Sequence, residues 1–414
     1  MSWEAVAMTR GEIEERTGRR RALAALGLTL ILGMTTWFSA SAVIPQLKAE
    51  WGLSDSVGAW LTISVQLGFV AGALLSSILN LADVFPARSV LVAGAGGAAL
   101  ANLGLLFAGG PALAIPLRAL TGFFLAGVYP PALKLMATWT RKSRGTALGL
   151  MVGALTIGSA APHLVNGLGG LGWKSVVEVT SALTVAGAAV ALAFVREGPF
   201  PFTRAPFDPR QVKKILSNRG VRLASIGYFG HMWELYAMWA WFVAFFAAEL
   251  QATNNDPSKA APLATFAVIG MGAVGCFVGG VLGDRWGRTR TTALMMAISG
   301  ACALSIGLLF KGPVWIVLIL GLIWGFAVVA DSAQFSTIVT ELADQAYVGT
   351  ALTLQLAVGF TLTVATIWLI PLLEDSFSWR WAFAFLAPGP ALGLLAMLRL
   401  KRLPEAAGIA GGRG

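Results

Sequence analysis

Between two long apolar runs, residues 280–290 read Gly280-Val281-Leu282-Gly283-Asp284-Arg285-Trp286-Gly287-Arg288-Thr289-Arg290. Four charges fall within seven residues here, yet none lies between Lys259 and Asp284 or between Arg290 and Lys311. A helix needs about 20 consecutive apolar residues to cross the hydrocarbon of a bilayer, and both flanks supply them. The stretch is therefore a short polar connection between two membrane-spanning helices. Composition extends that reading to the whole chain: 57% of its 414 residues are hydrophobic and 12% are charged, whereas soluble domains carry about a quarter charged residues.

Working outward from this loop, apolar runs bounded by charges, Pro or Gly predict twelve spans. They lie near 22–47, 57–79, 89–109, 112–138, 145–167, 175–195, 222–249, 261–282, 290–310, 313–340, 347–371 and 379–399. The longest polar connection, 196–221, divides six spans from six. The expected organisation is a tail over 1–21, a bundle over 22–195, a linker over 196–221, a second bundle over 222–400 and a tail over 401–414. The run from Arg19-Arg20-Arg21 to Ser39-Ala40-Ser41-Ala42 imitates a signal peptide, but it is longer than a 7–15-residue signal core and is read as an uncleaved first helix.

Basic residues set the orientation. With the N-terminus in the cytoplasm, 23 of the 30 Lys and Arg fall in the tails and cytoplasmic loops and five fall on the other side. The positive-inside rule then puts both termini in the cytoplasm, and an inner membrane is the expected location. The net charge of +10 follows from topology, so no nucleic-acid partner is implied. Cys276 and Cys302 sit inside apolar runs and have no metal-ligand spacing, which argues against a disulfide framework or a zinc site.

The halves repeat one another. Gly145-Thr-Ala-Leu-Gly-Leu150 returns as Gly349-Thr-Ala-Leu-Thr-Leu354, with Gly122 and Gly325 preceding each copy at an offset of about 203 residues. Asp83 and Asp284 are offset by 201. Parallel six-helix repeats describe a class of secondary transporter whose site lies at the repeat interface.

In the opening stretch, Asp284 with Arg285, Arg288 and Arg290 can tie neighbouring helices together, and Gly287 permits the tight turn. The stretch resembles the G-x-x-x-D-R-x-G-R-[KR] signature of the major facilitator superfamily, and the resemblance covers the whole chain through its spans and repeat. It implies an all-α fold of twelve transmembrane helices in two pseudo-symmetric bundles, and a conformational latch at Asp284, Arg285, Gly287 and Arg288. In the first half, Leu79 to Arg88 keeps only Asp83 and Arg88 of that pattern. Arg118-Ala-Leu-Thr-Gly122 is similar to the family's R-x-x-x-G element, whose arginine is linked with proton coupling. Gly158-Ser-Ala-Ala-Pro162-His163 departs from the antiporter signature.

Polar residues inside spans are candidate functional groups, because charge in hydrocarbon is costly. Glu234 stands about 18 Å past Arg222 at ~1.5 Å per residue. His231, Glu234, Met238 and Trp241 share a helix face, which is expected to look into a cavity or onto a partner. A carboxylate there can load and release a proton, with His231 sharing it. Asp331 and Gln334, three residues apart, form the second polar pair, and the repeat sets Asp331 opposite Val128 and Tyr129. Arg118, Tyr129, Tyr236, Trp37, Gln66 and Gln355 complete the expected substrate or coupling set. Lys134 is read as snorkelling to water and His163 as a packed histidine.

His163, His231, Glu234 and Asp331 sit at different depths and include no His pair four residues apart, so no metal site is expected, and no cofactor. The function expected is secondary transport of a small solute, with an anion favoured, by a monomer in the bilayer that also exchanges protons. A proton-coupled drug or metabolite exporter is the alternative, and a non-transporting sensor or scaffold the reading from another class. No nucleophile and base stand together as an enzyme would need.

Overall fold

The computed structural model describes residues 10–140, 144–169, 172–200 and 208–414, excepting the side chains of residues 10–16, 82 and 83. Asp83, and Arg141, Lys142 and Arg204 of the basic loops, therefore lie outside the described residues. Among the described residues, eleven helices are long and apolar enough to cross a membrane. With an interrupted first segment, α1 (Arg10–Gly33), they are α2 (Asp55–Ile78), α3 (Ala87–Phe107), α4 (Pro111–Ala137), α5 (Arg144–Gly169), α6 (Trp173–Phe194), α7 (Arg219–Ala252), α8 (Pro257–Trp286), α9 (Arg288–Leu309), α10 (Val314–Leu342), α11 (Val348–Phe377) and α12 (Trp379–Lys401). This order fits the twelve-span expectation.

Local sequence explains where helices start. Ser54, Asn218 and Asp256 accept from the backbone N–H of Val57, Val221 and Ser258, capping α2, α7 and α8. It also explains where the first span departs from expectation. The run 22–47 is not one helix: it leaves α-geometry after Gly33, passes through turns at 34–40 and resumes as Ile44–Trp51. The break is rich in Thr and Ser, whose hydroxyls compete for backbone groups. Thr35 donates to the carbonyls of Leu32 and Thr180, and Ser39 to that of Thr36.

The repeat seen in sequence is a repeat of packing. Helix α2 lies on α4 as α8 lies on α10, α3 on α6 as α9 on α12, and α1 on α6 as α7 on α12. Two glycine contacts recur at an offset of 203 residues. An added Cβ at Gly122 would strike the carbonyl of Val65, and one at Gly325 the carbonyl of Val268; Gly72 against Phe123 matches Gly275 against Phe326. Small residues let these helices approach backbone to backbone, the usual solution where lipid gives no hydrophobic drive between helices. Between the halves, α5 packs on α8 and α2 on α11.

Helices α4 and α10 are each broken at matching places. In α4 the first piece ends at Leu125 and the second starts at Tyr129, where Pro130 and Pro131 follow. In α10 the pieces are Val314–Ala330 and Ser332–Leu342, with Asp331 at the break.

Candidate transport site and latch

A cavity of about 410 Å³ lies between the halves. At one end it is walled by a ring cluster drawn from both halves. Trp37 and Phe69 have ring centres 4.8 Å apart, Phe69 and Phe360 4.8 Å, and Tyr236 and Phe360 5.2 Å. At the other end it is lined by Lys134 and Arg144 with the hydroxyls of Ser77, Thr340 and Thr353. The lining contains these two cations and, among the described residues, no acid. Trp37, Trp239 and Gln355 also line it, and Nε1 of each indole and Nε2 of the glutamine have no hydrogen-bond partner among the described residues.

Of the residues expected from the sequence, Trp37, Tyr129, Tyr236 and Gln355 line this cavity, together with Lys134. Glu234, His231, Asp331, Arg118, Gln66 and Gln334 do not. Helix α7 turns Tyr228, Met232, Leu235, Tyr236 and Trp239 to the cavity, and His231 and Glu234 into its own half. The expectation offered a cavity or a partner, and the partner is what these two have.

Buried Glu234 accepts from Trp324 Nε1 on α10 at 2.6 Å and from Ser299 Oγ on α9 at 3.0 Å. His231 Nδ1 lies 2.9 Å from Asp331 Oδ1, with both side chains out of solvent. At the break of α10 the cavity takes Ser332, Ala333 and Ser336 rather than Asp331 and Gln334.

Arg118 is fully buried against acceptors that are all neutral. Its guanidinium donates to the carbonyls of Leu61, Thr36 and Trp37, to Ser39 Oγ and to Asn102 Oδ1. The carbonyls of Thr36 and Trp37 are free to accept because the first span is broken there. Two of the expected residues remain apart from any network. Gln66 is buried with neither amide atom partnered, and His163 is buried with neither ring nitrogen partnered.

The stretch 280–290 does join helices. Asp284 Oδ2 accepts from the backbone N–H of Thr146 at 2.9 Å and from its hydroxyl at 2.8 Å, capping α5 from the other half. Arg288 donates to Asp284 Oδ1 at 3.2 Å, to Gln334 Oε1 at 3.0 Å and, through two nitrogens, to Glu341. Gly287 adopts φ +106°, a conformation that only glycine takes easily, and a Cβ there would meet the carbonyl of Arg413. Arg285 and Arg88 are exposed. Sequence reading missed Glu341, Thr146, Trp324 and Ser299. Glu341 has Thr138 at the matching repeat position, so the repeat carried no signal for it. The others are common residue types that only packing distinguishes.

The family model for the Major Facilitator Superfamily matches residues 25–360 and again 225–414. A gallate transporter from Pseudomonas putida is 25% identical over 310 residues, covering 64% of this chain and 66% of that protein. Puromycin resistance protein pur8 from Streptomyces alboniger is 34% identical over 126 residues, covering 30% of this chain and 24% of that protein. The chain thus spans just under two thirds of the first relative and about a quarter of the second. With the repeated helix packing, the inter-half cavity and the 280–290 loop, the match assigns the chain to a transporter family: it belongs to the major facilitator superfamily.

Proposed function

We propose that this protein is a proton-coupled secondary transporter of a small organic anion, working by alternating access of the cavity between two six-helix bundles. The observation that carries this reading is the charge of the lining: Lys134 and Arg144 with no acid among the described residues. Unpartnered N–H donors on Trp37, Trp239 and Gln355 supply further sites for acceptor oxygens. The aromatic wall and the similarity to a gallate transporter favour an aromatic carboxylate. Protons are carried by a buried acid behind the wall, Asp331, which leaves the cavity to the solute. The transporter acts as a monomer in the inner membrane with both termini cytoplasmic.

The test is uptake into proteoliposomes under an imposed pH gradient, comparing benzoate-class acids, aliphatic acids and organic cations. Accumulation of an aromatic acid that collapses with the gradient supports the reading. Accumulation of cations alone, or no dependence on the gradient, sinks it. A second reading, export of amphipathic drugs, is favoured by the ring-lined wall and by the puromycin-resistance relative; drug efflux without acid uptake would establish it instead.

A further inference from the structure

Behind the cavity wall, a buried base and acid stand at the break of α10. Building on the proton-coupled reading above, we propose that the His231–Asp331 pair is the proton site and that Gln334 connects it to the latch.

Three observations support the proton site. His231 Nε2 is buried without a partner, and Nδ1 lies 2.9 Å from Asp331 Oδ1. One nitrogen is thus open to a proton, and the carboxylate on the other side stabilises the imidazolium that forms. The imidazole also lies close to the cavity wall, 6.1 Å, centre to centre, from the ring of Tyr228, which lines the cavity. Finally, Asp331 is the one residue between the two pieces of α10.

The connection to the latch follows from the bonds of the next turn. Gln334 N–H donates to the carbonyl of Asp331 at 2.9 Å. Its side chain accepts from Arg288 at 3.0 Å and donates to the carbonyl of Gly279 at 3.1 Å. Arg288 holds Asp284, and Asp284 caps α5 of the other half. A Cβ at Gly283 would collide with the Gln334 amide, so that amide is tightly seated. Rotation of the turn after Asp331 breaks both of its bonds together.

Other titratable groups near the pair are few. On α7 they are Tyr228 and Glu234, on α8 Cys276, on α9 Cys302, and from the other half Tyr129. Helices α11 and α12 carry their acids and bases only near their ends, Glu374 and Asp375 in α11 and Arg380, Arg399 and Lys401 in α12. Glu234 is the remaining acid at this depth, and Glu234→Gln serves as the control.

The experiment uses the full chain in nanodiscs, spin-labelled through Glu197→Cys and Ala346→Cys. Both positions are exposed; Glu197 follows α6 at the start of the linker, and Ala346 lies in the connection between α10 and α11. The inter-label distance is followed from about pH 8 to about pH 5.5, the range in which histidine titrates. The ratio of the two distance populations is expected to change about tenfold in the parent, a usual size for coupling between sites, and likewise in Glu234→Gln. In Gln334→Leu the ratio is expected to lose its pH dependence, while the ¹⁵N signal of His231, one of two histidines in the chain, still titrates. Gln334→Asn, too short to span both partners, gives the same test if the leucine variant does not fold. A parent and Gln334 variant that titrate alike overturn the connection. A His231 signal that stays constant while vesicles show proton-driven uptake overturns the proton site, whereas absence of proton-driven uptake overturns the functional reading itself.

Discussion

Thr146, at the start of α5, gives both its backbone N–H and its hydroxyl to one oxygen of Asp284, near the end of α8. A helix in one half is thereby capped by a carboxylate from the other, and the negative charge faces the positive end of the helix dipole. The same carboxylate accepts from Arg288, which is held in turn by Glu341. One side chain thus links α5 and α8 across the halves, beside the helix packing that also joins them.

Asp284→Ala is expected to remove this cap at a cost of about 1–2 kcal/mol to the joined state. That corresponds to a shift of about 5–30-fold in the ratio of joined to separated halves. Spin-label distances across α5 and α8 measure it, and a ratio unchanged from the parent would show that the cap does not hold the halves.

The repeated glycine contacts predict matched effects. Gly122→Ala and Gly325→Ala each force a methyl group into a carbonyl, and each is expected to cost about 1–3 kcal/mol through overpacking. Gly96→Ala, where an added Cβ meets nothing, is expected to leave the melting temperature unchanged or raise it slightly. Melting curves in detergent check all three, and a Gly96 variant as unstable as the others would refute the account.

Arg118 is predicted to act through the backbone of the broken first span. Arg118→Lys replaces a planar fork by a point charge that cannot serve five acceptors. A loss of about 3 kcal/mol or more is expected, since buried carbonyls lose their donors. The fall in melting temperature should be the same at about pH 5.5 and at about pH 8, on either side of the histidine range; a loss confined to one pH would mark Arg118 as part of the proton pathway.

Glu234 is predicted to separate stability from transport. Glu234→Ala leaves Trp324 Nε1 and Ser299 Oγ without their acceptor and is expected to cost about 2–4 kcal/mol. Glu234→Gln keeps one acceptor oxygen, and about half of that loss is expected. Denaturation of both variants, alongside uptake measurements, tests this. Equal stability of the two would mean that the hydrogen bonds contribute nothing.

The spans were legible because lipid imposes a length and a composition that any window of sequence reveals. Their observed ends differ from expectation by a few residues, as at α8, read as 261–282 and found at Pro257–Trp286. The break in the first span was not legible, since its Thr and Ser can also sit in a continuous helix by bonding to their own preceding turn. What marks the break is Arg118, 82 residues away from Thr36, which takes up the carbonyls left without helical partners there.

Periodicity, apolar length and charge placement are local properties, so a twofold-repeated membrane bundle, its loops and the polar connection at 280–290 were legible in the chain alone. Which polar residues meet the cavity is a matter of packing between helices. Helix α7 is largely enclosed, so every face of it has a neighbour, and helical spacing cannot say which neighbour is a void. His231 and Glu234 share a face by the rule of 3.6 residues per turn, but whether that face meets solute or Asp331, Ser299 and Trp324 depends on how α9 and α10 pack against it.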